Sequence, residues 1–136
     1  MKSIILTFAI VLVNSLAFSQ GGPLTGKLVI NKGEISAKWD DKLIFEFNVK
    51  NSGNKPIDIL EVIGSCECQQ SDKKNIQTIS AGKSGIIRVT VNISKEQLKN
   101  QLVNGVINYD KSVIVVTNGK KAKYQLYTRA NIRIIN

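Results

Sequence analysis

Three stretches of this chain alternate apolar and polar residues with a period of two, a pattern that suits a β-strand and does not suit a helix. In Leu43-Ile44-Phe45-Glu46-Phe47-Asn48-Val49-Lys50, one face carries Leu43, Phe45, Phe47 and Val49, and the other Glu46, Asn48 and Lys50. Ile87, Val89, Val91 and Ile93 form a second apolar face, opposed by Arg88, Thr90 and Asn92. The longest run sends Tyr124, Leu126, Thr128, Ala130, Ile132 and Ile134 to one side, and Gln125, Tyr127, Arg129, Asn131 and Arg133 to the other. Shorter strand candidates are Lys27–Ile30, Ile57–Ile63, Ile76–Ile79 and Val113–Thr117.

Turn residues punctuate these runs. Asn51-Ser52-Gly53-Asn54-Lys55-Pro56 joins two strands and Ala81-Gly82-Lys83-Ser84-Gly85 precedes another. Asn118-Gly119 is a hairpin signal, because both residues tolerate the positive φ of a two-residue turn. Ser94-Lys95-Glu96-Gln97-Leu98 breaks the pattern: Ser94 at an N-cap with Gln97 three residues on predicts a capping box and a short helical turn. About seven strands with regular turn signals predict an all-β fold, an antiparallel immunoglobulin-like sandwich with one helical turn. Trp39 is followed by Asp40 and Asp41, so it is expected to pack at an edge rather than fill the core.

The amino-terminal segment reads differently. Lys2, the apolar run Ile4 to Val13 and the small residues around Ala17-Phe18-Ser19 predict a cleaved secretory signal peptide over residues 1–19. The run is shorter than the ~20 apolar residues a membrane span needs, and no later stretch is long enough. Residues 20–136 are then one exported domain, periplasmic or extracellular, with no transmembrane segment after cleavage.

Composition narrows the chemistry. The 136-residue chain has no histidine and two cysteines. Histidine-based acid–base and triad catalysis are therefore excluded. Asp40, Asp41, Glu46, Asp58, Glu61 and Asp72 form no paired-carboxylate motif and read as solvated surface, and no glycine run forms a phosphate-binding loop. The chain is expected to have no catalytic residue, no cofactor and no enzymatic activity. Its net charge of +9 comes mostly from dispersed lysines, and Arg88, Arg129 and Arg133 are the only arginines. A nucleic-acid reader would show a basic stripe with interleaved aromatics. A lysine-rich surface, with attraction toward anionic envelope polymers or head groups, fits better.

Cys66 and Cys68 leave three readings open. Export favours a disulfide. In an extended strand residues i and i+2 stand about 6.6 Å apart, too far for a bridge, so the backbone must kink at Glu67. Gly64 before and Gln69-Gln70-Ser71-Asp72 after the pair suggest a strand end where this is feasible. Alternatively, the two thiols are ligands for a soft metal such as Cu(I) or Zn(II), although two sulfurs alone do not complete a structural zinc site. In the third reading they stay free, pair with another chain or serve only in packing.

The stretch from Phe45 through Asn51-Ser52-Gly53-Asn54-Lys55-Pro56-Ile57-Asp58-Ile59, followed by Val62 and Ser65-Cys66-Glu67-Cys68, resembles the core of an exported bacterial family, abundant in Bacteroidota. It is the domain-of-unknown-function family numbered fifteen seventy-three, with a Phe-x-Phe-x-x-x-Asn-x-Gly-x-x-Pro stretch and then Ser-Cys-Gly-Cys. Ile79 to Gly85, Ser112 to Asn118 and Leu126 to Ile132 resemble its later segments. Glu67 stands where the family has the central glycine and Ala130 where it usually has another, while Ser94–Leu102 is longer and more helical. The resemblance implies an immunoglobulin-like sandwich related to abnormal-spindle/Hydin and major-sperm-protein domains, and no established activity. The resulting expectation is a non-enzymatic envelope module that binds a protein or an anionic surface component. The alternative is a thiol protein using Cys66 and Cys68 for soft-metal binding or disulfide exchange.

Overall fold

The computed structural model describes residues 22–135; the signal segment expected at residues 1–19 lies outside the described residues. The strands are β1 (Leu24–Gly26), β2 (Val29–Ala37), β3 (Lys42–Asn51), β4 (Ile57–Gly64), β5 (Gln69–Ser71), β6 (Thr78–Ile79), β7 (Ser84–Asn92), β8 (Leu102–Val103), β9 (Val106–Thr117) and β10 (Lys123–Ile134). A one-turn helix α1 (Lys95–Leu98) follows β7, and 3-10 turns occupy Lys73–Asn75 and Lys99–Gln101.

Two sheets face each other. One has the order β1-β3-β7-β5; the other runs β2-β10-β9-β4-β6, with β8 beside β9 where β4 has ended. The alternating runs are the centre of both. Phe45, Phe47 and Val49 of β3 and Ile87, Val89 and Val91 of β7 are buried from one side; Ile107, Tyr109, Val113, Val115, Leu126 and Ile132 meet them from the other. The rings of Phe45 and Tyr109 stack across the interface with centroids 6.3 Å apart. Each such side chain contributes about 1.5–3 kcal/mol on leaving water, so these two faces dominate stability. Trp39 packs partly buried against this core, as an edge residue should.

The first two strands belong to different sheets. β1 pairs antiparallel with the end of β3; the chain then crosses over, and β2 pairs parallel with β10. The crossover turns at Gly26, whose φ of +126° and whose closeness to the Asn48 carbonyl (2.6 Å from where a Cβ would stand) leave room for glycine alone. The β2–β10 pair makes an otherwise antiparallel sandwich mixed, a departure from the antiparallel expectation. Non-local parallel pairing leaves no mark in local periodicity.

Local expectations changed in three further places. Ser94 sits at the N-cap of α1, but its side chain makes no capping hydrogen bond. Asn118-Gly119 does lie between hairpin strands, yet neither residue has positive φ, and β9 and β10 are joined by five residues closed by Thr117 N–H to Ala122 C=O (2.6 Å). The two-residue turn instead falls at Asn104-Gly105, with φ of 53° and 79°, between β8 and β9. β2, β5 and the first half of β9 add strand where the polar sequence suggested loop.

Candidate functional site

β4 belongs to one sheet and β5 to the other, and the chain crosses between them through Ser65-Cys66-Glu67-Cys68. The crossing is a tight turn, closed by Gln69 N–H donating to Cys66 C=O (3.1 Å). The kink required at Glu67 is therefore present. It brings the two Cα atoms to 5.2 Å, inside the range a disulfide spans, and the sulfurs are joined. Cys68 is completely buried in the core, whereas Cys66 is only partly buried against it. Cys68 N–H points at the Cys66 sulfur (3.0 Å) and Cys68 C=O accepts from Asn92 N–H (2.7 Å), tying the turn to β7. Among the described residues, no group of three or more Cys, Asp or Glu side chains gathers around these sulfurs or elsewhere.

Beneath the turn lies a polar chain. Gln69 accepts from Ser65 N–H through Oε1 (2.7 Å) and donates through Nε2 to Thr128 Oγ1 (3.3 Å). The Thr128 hydroxyl donates to Lys111 C=O (2.8 Å) and lies 3.3 Å from the Tyr109 hydroxyl. Burial pushes the Tyr109 phenol above its ordinary value near 10, against smaller opposing effects from hydrogen bonds to Thr128 and Gln69. Thr128 was visible in the sequence as a hydroxyl on an apolar face; Gln69 and Tyr109 carried no signal of a shared network.

The strand edges offer a second kind of site. β1 covers only the last three residues of β3, so Lys42–Asn48 has no strand on that side among the described residues. β2 runs along the same flank as the rim of the other sheet. Its bulge at Lys32-Gly33, opposite Ala130, interrupts the ladder. Lys32 stands over the Phe45 ring, with Nζ 5.3 Å from its centroid. A bulge and an inward-directed charge protect an edge from unwanted pairing. β3 has no bulge over Lys42–Asn48, and the Lys32 charge reaches this stretch only at Phe45.

The third feature is one end of the sandwich, where loops 51–56, 80–83 and 118–122 meet. Asn51, fully buried, fastens the first two together. Its Nδ2 donates to Lys55 C=O (2.7 Å) and Ile79 C=O (2.9 Å), its Oδ1 accepts from Gly53 N–H (3.0 Å), and its backbone pairs with Gly82 and Lys83. Asn118 clasps Asp58, accepting from its N–H (2.9 Å) and donating to its carboxylate (3.0 Å), which also accepts from Thr78 (2.6 Å). A cleft of about 610 Å³ opens here, bordered by Pro23, Asn54, Lys55, Pro56, Gly119 and Lys120. Asn51 was legible as the first residue of the Asn-x-Gly turn; its role in fastening loop 51–56 to loop 80–83 was not.

Comparisons with known proteins agree on the fold. The family model described as "Protein of unknown function (DUF1573)" matches residues 25–132. No curated protein matches the chain in sequence. A protein of unknown function from Porphyromonas gingivalis W83 superposes with a TM-score of 0.58 at 13% identity, over 83% of this chain and 47% of its own, so this chain spans about half that protein's length. The secreted serine protease VesC of Vibrio cholerae gives 0.55 at 14% identity, over 89% of this chain and 25% of its own. An ASH/PapD-like domain of human CEP192 gives 0.51 at 10% identity, over 83% and 84%. At these identities the likeness is one of fold.

Proposed function

The chain belongs to the DUF1573 family of proteins of unknown function, and within it we propose that this member is a non-enzymatic, exported module that binds a protein partner by accepting a strand along β3. The observation that carries this is the unpaired Lys42–Asn48 stretch. It pairs with β7 in unbroken register and lacks the bulge that guards β2. A partner strand laid there would extend the line of β1, take backbone hydrogen bonds from β3 and meet Ile44, which is exposed on the outer face. The site is periplasmic or extracellular in this reading, as the signal segment implies.

The alternative, thiol chemistry at Cys66 and Cys68, has less support. Exchange needs an attackable sulfur and a leaving thiolate that is well solvated; here Cys66 is reachable but Cys68 would leave as a charge in the apolar core.

The test places a photo-crosslinking residue at Ile44 or Asn48 on β3, and at Asn108 on the outer face of β9 as a control. Expected is a discrete envelope protein captured from β3 alone. Capture of the same species from Asn108, or of none from β3, would refute the strand-accepting role.

A further inference from the structure

Charge is divided unevenly between the two ends of the sandwich. Loops 51–56, 80–83 and 118–122 carry Lys55, Lys83, Lys120 and Lys121 with no acidic residue. Loops 38–41, 65–68 and 93–101 at the other end carry Lys38, Lys95 and Lys99 against Asp40, Asp41, Glu67 and Glu96. The ion pairs Arg88–Glu46 and Arg129–Asp110 both lie across neighbouring strands on sheet faces. The carboxylate next to the lysine-bearing end, Asp58, is held by Thr78 and Asn118. Lys121 stands over the Tyr124 ring, leaving Lys55 and Lys120 to border the cleft.

We infer that this cleft binds an acidic oligosaccharide, a narrow chain bearing carboxylate or other anionic groups. This deepens the binding-module reading by adding a ligand class at a site separate from β3. Three observations choose a saccharide over other polyanions. The site is concave and, at about 610 Å³, of a size that encloses a small chain rather than a flat surface. Pro23 and Pro56 offer apolar faces beside the amide of Asn54 and the lysine rim, matching a sugar that carries C–H faces, hydroxyls and an anionic group together. Finally, none of the large exposed apolar side chains lies in these loops, so nothing there would enter a bilayer or anchor a protein interface. The Asn51 and Asn118 bonds fix the loops beforehand, which lowers the ordering cost of binding.

Fluorescence anisotropy with a labelled short oligogalacturonate tests this directly, read beside amide NMR shifts. The expected result is saturable binding that weakens with salt and moves the amides of Gly53, Lys55, Gly119 and Lys120. Lys55→Gln/Lys120→Gln should weaken it roughly tenfold, a change of about one 1.4 kcal/mol step in affinity, and Lys95→Gln/Lys99→Gln should leave it unchanged. Absence of binding, equal loss in the two double variants, or tighter binding to phosphatidylglycerol vesicles or polyglutamate would each overturn the inference. None of these outcomes bears on β3, because the crosslinking positions lie outside the cleft.

Discussion

The two ends of the sandwich are fastened in opposite ways. At the cysteine end a covalent bond links residues two apart, and a hydrogen-bonded chain runs from Ser65 through Gln69 and Thr128 to Tyr109. At the lysine end no covalent link exists among the described residues, and one buried amide, Asn51, fastens loops 51–56 and 80–83. The covalent end need not be the more strongly held. A bridge across so short a loop removes little freedom from the unfolded chain, whereas each backbone group bound by Asn51 would be stranded without it.

The largest expected effect is at Asn51. Asn51→Ala leaves the carbonyls of Lys55 and Ile79 and the N–H of Gly53 without their partner, and should cost about 3 kcal/mol in urea denaturation. Next comes Cys66→Ser/Cys68→Ala, which keeps the buried position apolar. Its expected cost is roughly 1.5 kcal/mol by loop-closure entropy, smaller than that of the amide. A larger loss than in the Asn51 variant would reverse the ranking of the two ends.

The smallest effect at neutral pH belongs to Tyr109→Phe, about 1 kcal/mol for a lost hydroxyl in a hydrogen-bonded chain. Its sharper signature is in alkali. Because burial raises the folded phenol above its ordinary value near 10, the unfolded chain ionises first. That contribution is fully present below about pH 10 and is lost as pH rises toward and through the raised folded value. Tyr109→Phe should therefore have a shallower alkaline fall in stability than the parent chain. Equal slopes would mean that Tyr109 is not the group that protects the cysteine end.

Legibility in the sequence followed the solvent. β3, β7 and β10 each present one face to the core and one to water, so Phe45, Val89 and Leu126 announced their burial by alternation. β2 was legible only in its first residues, because Asn31-Lys32-Gly33-Glu34 lies at a bulged rim where the chain has little core to cover. In β9, Lys111 interrupts the inward series Ile107, Tyr109, Val113, Val115, and Asp110-Lys111-Ser112 resembles a turn. At the cysteine turn, the need for a kink followed from strand geometry. That the turn would join two sheets, with one sulfur inside and one at the surface, depended on β5 finding β7, a pairing set by Gln69, Gln70 and Ser71 with no apolar pattern to show it.

The crossover at Gly26 also has a mechanical meaning. The described chain enters at the lysine end, where Leu24 pairs with Asn51, and leaves at the other, where Ile134 pairs with Ala37. Because β2 and β10 run parallel, tension between these two points would pull them lengthwise past each other. Their hydrogen bonds would then bear load together rather than parting one after another, making this pair the domain's resistance to stretching.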